Sequence, residues 1–318
     1  MFARPGHFTA HRIEESPVSS QDITVTPCSP HVGAEIGNID LRQPLSNKQV
    51  SDVYGALLNH GVIFFRDQDI DFEQHQRFAQ YFGKLHIHVG GEGTASSTVP
   101  DYPAIRKQYF DRNSKRVSGE DWHSDQSCAD IPPDGSILRQ TILPPNGGGD
   151  TLFMSACAAY DALSAPMKAF LSGLTAIHDG GPNYTRTNRI IGEEGPKSFP
   201  RAEHPVIRTH PVTGRKALYV NEGFTTGIVG MPREESQPIL EMLFRHSTRP
   251  EFIYRHQWRV GDILVWDNRC TMHHRDAFDP TARRIMHKTM TEGDRPHFQP
   301  QADDSAKHAR GYLYAASH

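Results

Sequence analysis

Residues 121–130 read DWHSDQSCAD. Residues two apart in an extended strand point to one face, so His123 and Asp125 can present an imidazole nitrogen and a carboxylate oxygen to the same cation. A second histidine from elsewhere would complete a set of two histidines and one carboxylate. Such a set suits ferrous iron and leaves three positions open on it. Whether this stretch is half of a metal site decides the fold, because the missing ligand must then come from a distant strand brought alongside. The spacing alone is weak. With 19 histidines in the chain, roughly one His-x-Asp is expected by chance, and a second copy stands at His274-Arg275-Asp276. The competing reading is a surface strand or turn with ordinary polar side chains.

Outward from that stretch the chain is mainly strand-like. AIRKQYF (104–110), SILRQTIL (136–143), TLFMS (151–155), PVIRTH (205–210), ALYVN (217–221), EFIYRHQW (251–258), DILVWDN (262–268) and RRIMHKTM (283–290) read as short strands. ITVTPCSP (23–30), GAEIGNIDL (33–41) and VIFFRDQ (62–68) precede them. Helical spacing is confined to four segments. SNKQVSDVYGALLNHG (46–61) has Ser46 as its N-cap and Val50, Val53, Leu57 and Leu58 on one side. DFEQHQRFAQYFG (71–83) carries Phe72, Phe78 and Phe82; 157–174 and 234–247 are the other two. Many short strands with a few covering helices fit one double-sheet β-barrel, a jelly roll with helices outside. The polar, Gly/Pro-rich stretch 179–203 reads as a long loop, with a lid as its functional interpretation.

Composition bounds the function. A formal charge of -3, with 34 Lys+Arg against 37 Asp+Glu, speaks against nucleic acid or an anionic membrane as partner. Cys28, Cys128, Cys157 and Cys270 form no C-x-x-C and read as reduced thiols of a cytoplasmic protein. The first twenty residues have no apolar core of secretory length and read as loosely ordered. No apolar run reaches membrane-spanning length. A small molecule is the expected partner, and a homo-oligomer is compatible with the sequence.

The second half of the chain supplies what the His-x-Asp lacks. DILVWDNRCTMHHRDAF places an apolar strand, WDNR and then a histidine pair, and eleven residues beyond His273 comes Arg284. Arg284, Met286 and Lys288 share a strand face. A bidentate guanidinium suits a dicarboxylate. PPNGGGDT (144–151) is a Gly-rich turn that delivers Thr151 into a strand, where its hydroxyl can assist. These pieces, with FGKLHIH (82–88), PPDGSILRQTILPPNGGGDT (132–151), HPVIRTHPVTGRKALYVNEGFTTGIV (204–229) and RRIMHKTMTEGD (283–294), occur in the order of one family. The chain resembles the taurine dioxygenase and 2,4-dichlorophenoxyacetate dioxygenase family of Fe(II)- and 2-oxoglutarate-dependent oxygenases from about residue 22 to 296. The resemblance implies a double-stranded β-helix over one domain, 21–296, followed by a C-terminal tail, 297–318.

Carried over residue by residue, the resemblance implies that His123, Asp125 and His273 hold Fe(II). It implies that Arg284 and Thr151 hold the distal carboxylate of 2-oxoglutarate, and that His274-Arg275-Asp276 is a decoy. The Gly turn is one residue longer than in the family's taurine-cleaving members, which bears on Thr151. The implied reaction consumes O2 and releases succinate and CO2 while a substrate C–H bond is hydroxylated. His88 stands where such members contact a sulfonate, and Lys288 where they place a gripping arginine. Gly91 and Gly119 replace a tyrosine and an asparagine. Phe224 is a pocket-wall candidate, with a core phenylalanine as its alternative. The expected substrate is an organic acid larger than taurine: an aryloxy- or arylalkanoate, an alkyl sulfonate or a sulfate ester. The alternative is a biosynthetic oxygenase that hydroxylates or desaturates a bulkier, uncharged metabolite.

Overall fold

Two capped helices are the first elements the local sequence dictates. The computed structural model describes residues 22–87, 96–114, 119–191 and 198–300. Helix α1 (Asn47–His60) begins at a capping box: the Ser46 hydroxyl accepts from the Gln49 N–H, and the Gln49 side chain accepts from the Ser46 N–H. Helix α2 (Phe72–Gln80) repeats the device with Asp71 and Gln74. Each cap contributes about 1 kcal/mol. The remaining helices are α3 (Ala156–Asp161), α4 (Ala165–Leu171), α5 (Gly181–Ile191) and α6 (Arg233–Ser247). Among the described residues no helix is long and apolar enough to cross a membrane.

In chain order the first strands are β1 (Thr24–Pro27), β2 (Ala34–Gly37), β3 (Val62–Phe65), β4 (Ser96–Val99), β5 (Tyr102–Phe110), β6 (Gly135–Ile142), β7 (Thr151–Ser155) and β8 (Thr175–Asp179). They continue as β9 (Arg201–Pro205), β10 (Ile207–Thr209), β11 (Lys216–Leu218), β12 (Thr225–Ile228), β13 (Ile253–His256), β14 (Ile263–Asp267), β15 (Thr271–Arg275) and β16 (Arg284–Met290). The largest sheet has eight strands in the order β1-β2-β3-β14-β6-β16-β5-β4. Smaller sheets are β13-β7-β15, β12-β8-β9 and β10-β11. The protein is mainly β, with helices outside.

Alternation along the strands separates two apolar layers. Ile63, Phe65, Ile137, Ile263 and Val265 face outward onto Val53, Ala56 and Leu57 of α1 and Phe78 of α2. Their neighbours Val62, Phe64, Leu138, Leu264, Trp266 and Met286 face inward and pack with Phe153 of β7. Burying each such side chain contributes roughly 1.5–3 kcal/mol, and together they set the β7 sheet against the eight-stranded one. The inward layer is also where the strands deliver their polar residues.

Two segments differ from expectation. The single helix read over 157–174 is two, because Ser164 N-caps α4 and Pro166 occupies its first turn, which a proline tolerates but a helix interior does not. The expected loop 179–203 contains α5 and opens β9. Its helix starts after Gly180, and the Asp179 carboxylate accepts from the Gly181 N–H at 2.7 Å. The tail boundary at 296 also falls within packed chain: Thr209 N–H donates to the His297 carbonyl at 2.8 Å. The N-terminal twenty residues lie outside the described residues, as does the tail from 301 onward.

Candidate metal centre and co-substrate pocket

His123 is not in a regular strand. It forms an isolated antiparallel bridge with His273 of β15, each N–H donating to the other's carbonyl at 3.0 and 2.8 Å. This pairing sets the two imidazoles side by side, ring centroids 4.2 Å apart. The chain then turns, with Gln126 in the left-handed region at φ 49°, and Asp125 swings beneath them. Asp125 Oδ1 lies 3.9 Å from His123 Nε2 and 3.8 Å from His273 Nε2. One donor atom from each of the three lies within 4.8 Å of the others.

The lone pairs point at the gap between them. His123 Nδ1 is 2.7 Å from the Asp121 carbonyl; a carbonyl only accepts, so Nδ1 carries the proton and Nε2 is left as a donor to a cation. Burial holds both imidazoles below their ordinary pKa, in the neutral form that a metal requires. Asp125 is held ionised: burial alone would raise its pKa, but the Lys288 ammonium that donates to it works against burial, and the carboxyl lies below the usual carboxylate range. Its second oxygen, Oδ2, accepts from Ser136 Oγ at 2.6 Å and Lys288 Nζ at 2.5 Å. Oδ1 stays directed at the histidines.

Supporting groups converge from the WDN segment. Asn268 accepts from the Asp125 N–H at 3.3 Å and from Trp266 Nε1 at 3.0 Å, and donates to Ser136 Oγ at 3.0 Å. Trp266 and Phe153 pack on His273, with centroids 4.8 and 5.8 Å away. Gly223 makes room for His123: a Cβ there would sit 2.9 Å from His123 Cβ.

Arg284 enters from β16 on the same inward face. It is fully buried, and none of its three guanidinium nitrogens has a hydrogen-bond partner among the described residues. Burial, assisted by Arg275, pushes its pKa down to about 9, so it remains a cation at neutral pH. A desolvated, unanswered guanidinium is costly without an anion. Gly149 presses on it so closely that a Cβ would lie 2.0 Å from Nη1, with φ at +71°. The same turn leads into Thr151, buried in β7, whose hydroxyl oxygen accepts from Trp258 Nε1 at 3.0 Å and keeps its own hydrogen to donate. Two neutral imidazoles, one free carboxylate oxygen and a buried cation are donor sets that fit a ferrous ion and a dicarboxylate.

The other sequence-derived residues fall unevenly. Phe224 lies edge-on to His123 at 6.3 Å and 6.0 Å from the Tyr184 ring of α5. His88 and Gly91 lie outside the described residues. Lys288, expected to steer a substrate anion, spends its ammonium on Asp125 instead and lies 4.9 Å from the Trp266 ring centre. Sequence reasoning missed this role, and those of Ser136 and Asn268, because the contacts span 163, 11 and 143 positions. The second His-x-Asp is drawn elsewhere: His274 stacks on Trp122 at 5.5 Å, and Asp276 pairs with Arg255.

Comparison with known proteins agrees with this geometry. The family described as "Taurine catabolism dioxygenase TauD, TfdA family" matches residues 24–290. The alpha-ketoglutarate-dependent 2,4-dichlorophenoxyacetate dioxygenase of a Burkholderia species is 34% identical over 284 residues, 84% of this chain and 93% of that one. Pentalenolactone F synthase of Streptomyces avermitilis is 32% identical over 308 residues, 90% of this chain and 99% of that one. The crystal structure of a taurine dioxygenase from Burkholderia xenovorans superposes with a TM-score of 0.74 at 36% identity, covering 88% of this chain and 92% of that one. With matches running nearly from end to end, the chain belongs to the taurine catabolism dioxygenase family of Fe(II)- and 2-oxoglutarate-dependent oxygenases.

Proposed function

We propose that the opposed sheets form a double-stranded β-helix in which His123, Asp125 and His273 hold Fe(II), while Arg284 and Thr151 hold the distal carboxylate of 2-oxoglutarate. When bound, iron and 2-oxoglutarate supply an oxidative decarboxylation by O2, giving succinate and CO2, coupled to hydroxylation of a substrate C–H bond. The chain's own residues position and shield. Asp125, tied at Oδ2 by Ser136 and Lys288, offers a single oxygen and leaves coordination positions open. Phe153 and Trp266 keep water from one side. Phe224 and Tyr184 form the substrate-facing wall, with α5 as the lid. The buried free thiols Cys128, Cys157 and Cys270 support a cytoplasmic setting.

The observation that carries this reading is the Arg284 guanidinium, buried and without a hydrogen-bond partner among the described residues, on the same inward face as the His-Asp-His cluster. The substrate we propose is an organic acid: an aryloxy- or arylalkanoate, an alkyl sulfonate or a sulfate ester. The 2,4-dichlorophenoxyacetate dioxygenase relative supports this choice. A second reading, oxidation of a bulkier uncharged metabolite, is favoured by Gly119, which carries no side chain where a Cβ would meet Arg275 Cβ at 3.5 Å and His123 Cε1 at 3.9 Å. The test is succinate formation. It is expected to require both Fe(II) and 2-oxoglutarate, and Arg284→Gln is expected to raise the KM for 2-oxoglutarate about 10- to 100-fold through loss of a charged hydrogen bond. Succinate formed without iron, or an unchanged KM, would contradict the assignment.

A further inference from the structure

Three consecutive glycines in the turn ahead of β7 have left-handed backbones, with φ of 75° at Gly147, 85° at Gly148 and 71° at Gly149. Arg284 accounts for only part of that demand. A Cβ on Gly149 would lie 2.0 Å from Arg284 Nη1, but also 3.2 Å from Phe278 Cδ1. A Cβ on Gly148 would lie 3.2 Å from both Cα and Cβ of Phe278. Gly148 and Phe278 form an isolated bridge, and the Gly149 N–H donates to the Ala277 carbonyl at 2.9 Å. The turn is therefore shaped around a phenylalanine as well as around the arginine.

The Phe278 ring lies against two cations. The guanidinium carbons of Arg284 and Arg275 both stand over it, each 5.1 Å from its centre, within the range of a cation–π contact. Phe110, opposite Arg284 in the β5–β16 register, meets the same ring edge-on at 6.1 Å. The two arginines differ in what else holds them. Arg275 donates to Glu120 at 3.0 Å and to the Asp276 carbonyl at 2.6 Å. Arg284 has no hydrogen-bond partner for any guanidinium nitrogen among the described residues. Packing must then fix the plane of its fork, and a ring face attracts a guanidinium without needing an acceptor. Resting on the oxygenase reading above, we infer that Phe278 is a positioning residue for the co-substrate: its π face holds the Arg284 guanidinium in the orientation that receives the distal carboxylate of 2-oxoglutarate. An aliphatic side chain of similar size would fill the place but offer no negative face to the charge. The incoming carboxylate would then have to order the fork itself, at a cost in affinity. That cost falls on a ligand with a distal carboxylate and spares one without.

The experiment uses the full chain, loaded with Mn(II) for calorimetry and with Fe(II) for turnover. Phe278→Leu is expected to weaken 2-oxoglutarate binding and raise its KM about 5- to 30-fold. Its kcat at saturating 2-oxoglutarate is expected to stay within about twofold of wild type, since only binding is affected. Phe278→Tyr keeps the ring and is expected to bind 2-oxoglutarate within about twofold of wild type. Affinity for 2-oxobutyrate, which has the 2-oxo acid end but no distal carboxylate, is expected to be the same in all three proteins, as is Mn(II) uptake. Should Phe278→Leu not fold, Phe278→Met, also apolar and without a ring, carries the same test. Wild-type 2-oxoglutarate affinity in the ringless variant, an equal loss in Phe278→Tyr, or an equal loss for 2-oxobutyrate overturns this assignment alone, because the wild-type chain still forms succinate. Absence of 2-oxoglutarate binding and of succinate in the wild-type chain overturns the oxygenase reading and this assignment with it.

Discussion

Two clusters among the described residues each bring three metal-binding side chains within 4.8 Å of one another, and only one is built for a cation. His123, Asp125 and His273 form the first; His210, Asp267 and Cys270 form the second. In the second, every strong lone pair is spoken for. Asp267 Oδ1 accepts from the Arg269 N–H at 2.9 Å and Arg269 Nε at 2.8 Å, and Oδ2 from Arg269 Nη2 at 2.7 Å and His210 Nε2 at 3.0 Å. His210 Nδ1 accepts from the N–H groups of Val212 and Thr213, both at 3.2 Å. In the first cluster Asp125 is tied at one oxygen only, and the two Nε2 atoms face the other. Proximity of metal-binding residue types is therefore poor evidence; uncommitted lone pairs decide.

The sharpest way to break this contrast is to remove a ligand from each cluster. Asp125→Ala or His123→Ala is expected to lower 2-oxoglutarate turnover by at least about 1000-fold, roughly 4 kcal/mol in barrier, with the fold retained by circular dichroism. Asp267→Asn is expected to do the reverse. It leaves the Arg269 charge buried and underpaired, at a cost of about 3–5 kcal/mol of stability visible as a lowered urea midpoint, while metal stoichiometry stays at one per chain. Should Asp267→Asn instead lose the metal, the two clusters would have been distinguished the wrong way round.

Smaller changes sharpen the comparison. Gly149→Ala forces a Cβ against Arg284 at a left-handed φ, so the KM for 2-oxoglutarate is expected to rise about tenfold or more with metal affinity unaltered. Ser136→Ala removes one of the two donors on Asp125 Oδ2. A loss of up to about tenfold in turnover is expected, in line with the effect of groups that orient metal ligands. No loss at all would mean that the Lys288 contact suffices.

Much of the frame was readable in the chain because it is local. Capping residues Ser46 and Asp71 start α1 and α2 where the spacing predicts, and β3, β6, β14 and β16 follow the short apolar runs read as strands. The same short-range logic underlies the His123–Asp125 pair, although a bridge followed by a turn, not a strand, brings the two together. What escaped reading depends on tertiary contacts. Helix α5 is polar, and packing rather than propensity holds it: Tyr184 lies 5.6 Å from Phe199 and 6.0 Å from Phe224. Lys288 gives no local sign of its partner, since its ammonium reaches a carboxylate 163 positions away. The break at Ser164–Pro166 was also missed, since 157–174 was read as one helix, although its cause is local: a proline fits a helix's first turn and not its interior.

Equilibrium binding of Mn(II), followed by its electron paramagnetic resonance signal at neutral pH, tests the central claim most directly. The wild-type chain is expected to bind one ion, and His273→Ala, which leaves Asp125 and its partners in place, is expected to lose that binding. Retention of one tightly bound ion by His273→Ala would contradict the proposal that residues so far apart in the chain close around a single metal.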